Sequence, residues 1–316
     1  MAAPDPVAAE LTAALVESVR LLAGEGGEAR FGVAVSGGPD SMALLDLAVR
    51  AFPGRVEAAT VDHGLRAASA AEAEMVARWC RSQGIPHAIL YPREPVAGNV
   101  QHWARAQRYA LLADWRAERQ IDWICTAHHA DDQLETMLMR LNRGAGVNGL
   151  AGIRARQGHV LRPLLGRRRA QLLAYAKARL LPYVDDPSNS DPRFDRAAIR
   201  QHLRHVDWLD PQAAGRSAAA LADVEEALDW MVDSLDAQHV RQDGEAYVLD
   251  RTDLPREVLR RLLIRMLGRI DPAARPRGET VDRALSAAQE GRKVSMGKTL
   301  LTGGDRWTVK PAPPRR

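Results

Sequence analysis

Four short β-branched or apolar runs, Phe31–Val35, Val56–Val61, His87–Tyr91 and Trp123–Thr126, alternate with longer stretches of helical periodicity. That alternation constrains the chain more than any other feature, because it specifies a doubly wound parallel sheet of the α/β class. The intervening helices are expected at Ser41–Ala51, Ala70–Ser82, Val100–Gln120 and Asp131–Arg143, with Gly84-Ile85-Pro86 and Gly144 as stops. Val160–Leu164 is a candidate fifth strand. In such sheets ligands bind beyond the carboxyl ends of the strands, so the chemistry is sought just after each one.

With 316 residues the chain exceeds one ordinary compact domain, and its 46% hydrophobic content is enough for a substantial core. The expected organisation is an N-terminal helical extension over residues 1–27 and a catalytic domain over 28–216. A connecting helix over 217–240 follows, marked by Leu221, Val224, Leu228, Met231, Val232 and Leu235. Residues 241–316 are expected to form a small helical domain, with a helix at Val258–Leu267. Met1–Ala23 lacks the basic start and apolar run of a secretory signal, and no stretch is long and apolar enough to span a bilayer. Two cysteines, Cys80 and Cys125, without paired spacing exclude a disulfide framework or zinc ribbon and fit a reducing cytoplasm. Between Arg140 and Arg216 there are 15 Lys or Arg against 6 Asp or Glu, a local +9 in a chain of net charge +4. A polyphosphate partner favours such a segment, and so does a merely solvated basic face.

The first strand runs directly into Ser36-Gly37-Gly38-Pro39-Asp40-Ser41 and then into an apolar helix. Two glycines let the backbone turn its N–H groups toward an anion, and the helix amino terminus adds partial positive charge. Ser36 and Ser41 supply hydroxyl donors. Asp40 would repel a bare phosphate, so its expected task is to hold a magnesium ion between the phosphates. The loop has neither the lysine of a G-x-x-x-x-G-K-[ST] loop nor G-x-G-x-x-G spacing. It resembles the PP-loop of the ATP pyrophosphatase superfamily, which implies ATP as substrate, adenylation of a carbonyl oxygen and release of pyrophosphate.

After the second strand comes Asp62-His63-Gly64-Leu65-Arg66, and after the fourth Thr126-Ala127-His128-His129-Ala130-Asp131-Asp132-Gln133-Leu134-Glu135-Thr136. Asp132 and Glu135 are three apart on a helix, which puts both carboxylates on one face near its amino terminus. Such a pair binds a cation. A metal site from His128, His129, Asp131 and Asp132, or simple helix capping, are the competing readings.

Together with Arg143-Gly144-Ala145-Gly146-Val147-Asn148-Gly149-Leu150, these motifs resemble the tRNA(Ile)-lysidine synthetase family. The similarity extends to Arg105-Ala106-Gln107-Arg108-Tyr109, Arg162-Pro163-Leu164-Leu165 and Asp185-Asp186-Pro187-Ser188-Asn189, spanning about Phe31 to Leu203. The resemblance implies a short-form ligase acting on the wobble cytidine of a tRNA(Ile) with a CAU anticodon, using ATP, Mg2+ and L-lysine. On that basis Ser36–Ser41, Asp62, His63 and His128 are expected to bind the nucleotide. Asp132 and Glu135 are expected to grip lysine, Arg105 and Arg108 to offset charge on the adenylate or RNA, and Arg196 and Arg200 to contact tRNA. The family tends to show Arg-Asn before a spacer and a second Arg, whereas this chain reads Arg196-Ala197-Ala198-Ile199-Arg200. A tRNA thiolation enzyme of the same superfamily is the enzymatic alternative, disfavoured by the unpaired cysteines. A nucleotide-dependent RNA-binding module without turnover is the alternative from another class.

Overall fold

The computed structural model describes residues 6–24, 27–65, 68–185, 195–276 and 278–313. Arg66 and Asp186–Asn189, named above for the resemblance, lie outside the described residues. The chain divides into two compact units, residues 1–222 and 223–316.

The first unit contains α1 (Pro6–Ala23), β1 (Phe31–Ala34), α2 (Pro39–Ala51), β2 (Val56–Val61), α3 (Ser69–Ser82), β3 (His87–Leu90), α4 (Val100–Glu118), β4 (Trp123–Cys125) and α5 (Ala130–Leu141). It continues through α6 (Val147–Leu150), β5 (Arg156–Gln157), β6 (Val160–Leu161), α7 (Arg169–Ala178), α8 (Asp195–Leu203) and the start of α9 (Pro211–His239). The sheet order is β3-β2-β1-β4-β6-β5, parallel except for the edge pair β5–β6. In register, Phe31 lies between Val56 and Trp123.

Both faces of the sheet are covered, as the continuous apolar strands require. Phe31, Val33 and Val35 join Leu11 and Leu15 of α1, Leu44 of α2 and Leu172 of α7 in one core. The alternate residue Gly32 faces Trp115 of α4, and a Cβ there would sit 2.6 Å from the indole, so only glycine admits this contact. The Tyr175 hydroxyl of α7 donates to Asp46 of α2 at 2.5 Å, and Arg50 reaches the same carboxylate at 2.8 Å. Residues 6–23, within the expected N-terminal helical extension, form a helix that packs on this core. Cys80 and Cys125 are 0% and 2% exposed, and burial pushes both thiols up to about 12.

The second unit combines the end of α9 with β7 (Val240–Asp243), β8 (Ala246–Leu249), α10 (Arg256–Ile270), α11 (Gly278–Gln289), β9 (Lys293–Met296), β10 (Thr299–Thr302) and β11 (Trp307–Pro311). The helix expected at Val258–Leu267 is there, and the expected small helical domain also carries five short strands. An antiparallel sheet, β7-β8-β11-β10-β9, packs Trp307, Val309 and Leu301 against Leu262, Met266 and Leu285. Two of its hairpins turn through two residues beginning with glycine, Gly244-Glu245 and Gly297-Lys298, with φ of 59° and 61° at the glycines. Such short glycine-led loops match the twist of the flanking strands. The expected linker over 217–240 is part of the 29-residue α9, and the boundary between units falls inside that helix.

A row of ion pairs joins α9 to α10. Arg261 meets Glu225 at 2.7 Å, Asp229 at 2.9 Å and Glu257 at 3.0 Å. Arg265 meets Asp233 at 2.6 Å, and Arg269 pairs with Asp236.

Candidate active site

A cleft of about 710 Å³ opens at the carboxyl ends of β1, β2 and β4. Its floor is the turn between β1 and α2. Gly37 adopts φ +82°, a conformation that side chains rarely tolerate, and its carbonyl accepts from Val184 N–H at 2.9 Å. Gly38 caps α2 and Pro39 occupies the first helical turn, where its missing N–H costs nothing. A Cβ on Gly38 would meet only Ser36 Oγ, at 3.8 Å, so space for a close-approaching ligand remains above the turn. Ser41 is 5% exposed and spends its hydroxyl on the loop, donating to Gly38 O at 2.9 Å and accepting from Ser36 N–H at 3.2 Å. Its observed contacts shape the turn, and Ser36 Oγ lies 3.3 Å from its hydroxyl.

Asp40 stands at the mouth of this turn. Its Oδ2 is 3.6 Å from His129 Nε2 and 3.8 Å from Arg169 Nε, while its Oδ1 is buried without a hydrogen-bond partner. A buried carboxylate oxygen left unpaired beside a glycine-rich strand-to-helix turn fits a bound cation. Among the described residues, no group of three or more His, Cys, Asp or Glu side chains is arranged to hold a metal ion, so the four-residue metal site at His128–Asp132 is not assembled.

Those residues instead build the amino terminus of α5. His129 is 2% exposed, and its Nδ1 accepts from Asp132 N–H at 3.3 Å while Asp132 accepts from His129 N–H at 3.1 Å. This reciprocal capping box leaves Nε2 directed at Asp40 and at Asp132, 3.4 Å away. Burial opposes a charge on His129, but its contact with Asp40 and the charges of Asp132 and Asp131 prevail and raise its pKa. The neighbouring His128 behaves oppositely. Burial pushes its pKa down to about 4, with Arg162, Arg196 and Arg105 adding to the effect of burial against Asp132. His128 thus faces the cleft neutral at pH 7, with Nδ1 2.9 Å from Thr126 Oγ1.

The Asp132 and Glu135 pair differs from the sequence expectation. Asp132 lines the cleft, but Glu135 is 2% exposed and does not. Arg200 grips Glu135 through Nε at 2.7 Å and Nη2 at 2.9 Å, and Arg196 Nε adds a third bond at 2.9 Å. The same arginines approach Asp132 at 3.5 and 3.7 Å. Helical spacing does set the carboxylates side by side, yet α8 fills the space between them with its own cations. Arg196 and Arg200, expected at tRNA, are in this structure the partners of the residues expected at lysine. Ala197 lies between them on the cleft wall.

His63 and Arg108 line the cleft, and both ring nitrogens of His63 are buried without a partner. Burial and the charge of Arg108 keep His63 below its ordinary pKa. Asp62 turns away, accepting from Gly64 N–H at 2.9 Å and closing the turn after β2. Arg105 also lies outside the cleft lining, stacked 5.0 Å over Tyr109. Sequence reasoning missed His129 as the centre of the site and overlooked Arg169. The triplet Arg167-Arg168-Arg169 was the available signal. Asp131 accepts from Arg169 N–H at 2.7 Å, which aims that side chain at Asp40.

The PP-loop domain model matches residues 10–206. The tRNA(Ile)-lysidine synthase of Zymomonas mobilis is 42% identical over 297 residues, covering 91% of this chain and 90% of that protein. The Ruegeria pomeroyi protein of the same name is 44% identical, covering 88% and 70%. Among solved structures, the U34-tRNA thiolase NcsA from Methanococcus maripaludis, with its [4Fe-4S] cluster, superposes with a TM-score of 0.55 at 18% identity. It covers 68% of this chain and 80% of that one, a likeness of fold. With so much of its length aligned at this identity, and with the PP-loop domain model matched over residues 10–206, the chain belongs to the tRNA(Ile)-lysidine synthase family of PP-loop proteins.

Proposed function

We propose that the chain ligates L-lysine to C2 of the wobble cytidine of tRNA(Ile), the tRNA bearing a CAU anticodon, and converts ATP to AMP and pyrophosphate. The observation that carries this reading is the convergence of the Ser36–Ser41 turn with His128, His129 and Asp132 on one cleft. A nucleotide and a reactive base can meet there.

In the first step the C2 carbonyl oxygen attacks the α-phosphorus, an O–P bond forms and pyrophosphate leaves. The N–H groups of the turn and the amino terminus of α2 stabilise charge on the phosphates, an already oriented arrangement of the kind that lowers barriers most. Asp40 would hold Mg2+, which when bound supplies charge neutralisation for the leaving phosphates. His129, bearing a raised pKa, and Arg169 fix the Asp40 carboxylate. Neutral His128 and His63 are assigned to the nucleotide, as donors or acceptors without charge. In the second step the lysine side-chain amine attacks C2, the C2–O bond breaks, AMP departs and the nitrogen loses a proton. We assign Asp132, the one carboxylate of the α5 pair that faces the cleft, to an amino group of lysine. Glu135 positions it through Arg196 and Arg200.

Incubation of the protein with ATP, labelled lysine and unmodified tRNA(Ile) transcript tests the whole reading. Label is expected in tRNA only when ATP is present and the wobble base is cytidine. Failure to incorporate lysine overturns it. Asp40→Asn is expected to lower tRNA-dependent adenylation about 10²-fold or more with unchanged unfolding, the effect of losing one oriented charge-stabilising group. Near-normal turnover at saturating Mg2+ and ATP reduces Asp40 to a turn former.

A further inference from the structure

Beside the cleft lies a group of arginines that the reaction above leaves unused. Arg140 closes α5, Arg154 follows the turn after α6, Arg105 projects from α4, and Arg162 stands at the end of β6, 2% exposed. Among the described residues none of the four forms an ion pair with a carboxylate. Arg140 Nη1 donates to the carbonyls of Gly149 and Gly152 at 2.6 and 3.0 Å. Arg154 Nη2 reaches the Asn148 amide oxygen at 3.3 Å, and its Nη1 is buried without a partner. Arg162 Nη1 donates to Arg154 O at 2.7 Å, and its Nε is also buried and unpartnered. Burial, and the like charges of Arg154 and Arg105, depress the pKa of Arg140.

Folding does not ordinarily gather partly buried guanidinium groups without counter-charge, because desolvation and mutual repulsion both oppose it. An anion removes both costs. The turn that displays Arg154 is also built to stay in place. Gln133 Oε1 accepts from Ile153 N–H at 2.6 Å, and a Cβ on Gly152, whose φ is +62°, would lie 2.7 Å from that oxygen. Tyr109 connects this group to the cleft: it lines the cleft, carries Arg105 on its ring and lies 3.4 Å from Arg162 Nη2 through its hydroxyl.

We propose that Arg105, Arg140 and Arg154 form a second anion site that holds one or two backbone phosphates of the RNA strand delivering the reacting base. Guanidinium forks match phosphate oxygens in geometry, and the nucleotide's own phosphates already have the turn after β1. The buried charge of Arg162 strengthens the site from beneath. This inference rests on the functional reading that RNA enters the cleft.

The test is the binding of unmodified tRNA(Ile) transcript across a salt series for the parent, Arg154→Gln, and Arg140→Gln combined with Arg154→Gln. Each lost phosphate contact on a single strand should flatten the slope of log K against log salt by about 0.7. We expect Kd to rise several-fold for the single variant and about tenfold or more for the double, with ATP affinity unchanged. Arg154→Gln removes one long side-chain hydrogen bond and should melt with the parent, so its result does not depend on the structural bonds of Arg140. Parent-like affinity and slope in both variants overturn the site. A loss of ATP or pyrophosphate affinity with tRNA binding intact also overturns it and assigns the arginines to the leaving phosphates. A parent that binds no tRNA removes the functional reading and this one together, whereas a parent that binds and variants that match it remove only this one.

Discussion

Arginine is used in opposite ways in two regions of the molecule. On α9 and α10 each guanidinium is met by acid at helical spacing, with Arg261, Arg265 and Arg269 facing Asp229, Asp233 and Asp236. Around α4, α5 and α6 in the first unit, Arg105, Arg140 and Arg154 have hydrogen bonds to carbonyls or amides, or an aromatic ring, and no carboxylate partner among the described residues. The first arrangement is satisfied within the chain and serves cohesion. The second is complete only with a foreign anion. Arg196 and Arg200 fall between these cases, since they are paired yet line the cleft. Net charge cannot separate these uses, and the partners can.

The comparison is broken most directly at Arg261. Its side chain is 14% exposed and Glu225 opposite it is 8% exposed, so Arg261→Met leaves a buried carboxylate without its main partner. We expect a loss of about 3 kcal/mol or more in urea unfolding of the second unit. Unchanged unfolding would show that the ion pairs do not hold α9 to α10. Glu135→Gln is the matching change behind the cleft wall. It keeps the shape but removes the charge shared by two guanidinium groups, and should cost roughly 1.5–3 kcal/mol of stability in the first unit. Its kinetic effect should fall on lysine transfer more than on tRNA-dependent adenylation. A variant as stable as the parent would mean that Arg196 and Arg200 do not depend on Glu135.

A smaller effect, with a defined sign, is expected from pH. His128 titrates near its ordinary pKa when unfolded but at about 4 when folded, so the unfolded state gains the proton first as pH falls from about 6.5 toward 4. Its contribution to stability is present at neutral pH and is lost through that window. His128→Gln should therefore lose less stability than the parent between pH 7 and pH 5. His129, with a raised pKa, contributes in the other direction, most fully below the unfolded pKa and less as pH rises through the folded one. Equal slopes for parent and variant would place His128 in water. The smallest change is expected for Arg265→Ala, whose partner Asp233 is 69% exposed: at most about 1 kcal/mol. A larger loss would mean that the pairs act as one network.

The sheet was legible because its strands are apolar runs bounded by breakers, and β2 falls on the residues that periodicity assigns to it. The turn after β1 was legible for a local reason, since its two glycines, proline and cap act within six residues. The partners of Glu135 were not. They lie 61 and 65 residues away in sequence, and no local rule says which arginine returns to which helix. The importance of His129 was hidden likewise, because whether a histidine caps, ligates or packs depends on what stands opposite, here Asp40 from another loop. In the second unit the helical pattern obscured four-residue strands, although Asp243-Gly244 and Gly297-Lys298 carried a hairpin signal.

The two native thiols have a practical consequence. Alkylating reagents attack the thiolate, and Cys80 and Cys125 are both enclosed and held protonated, so they form a silent background. A single cysteine introduced at exposed Ala106, beside Arg105, would take a fluorophore alone while both natural cysteines stay in place. Docking of the RNA strand against α4 would then be read as a change in emission from one known point on the surface.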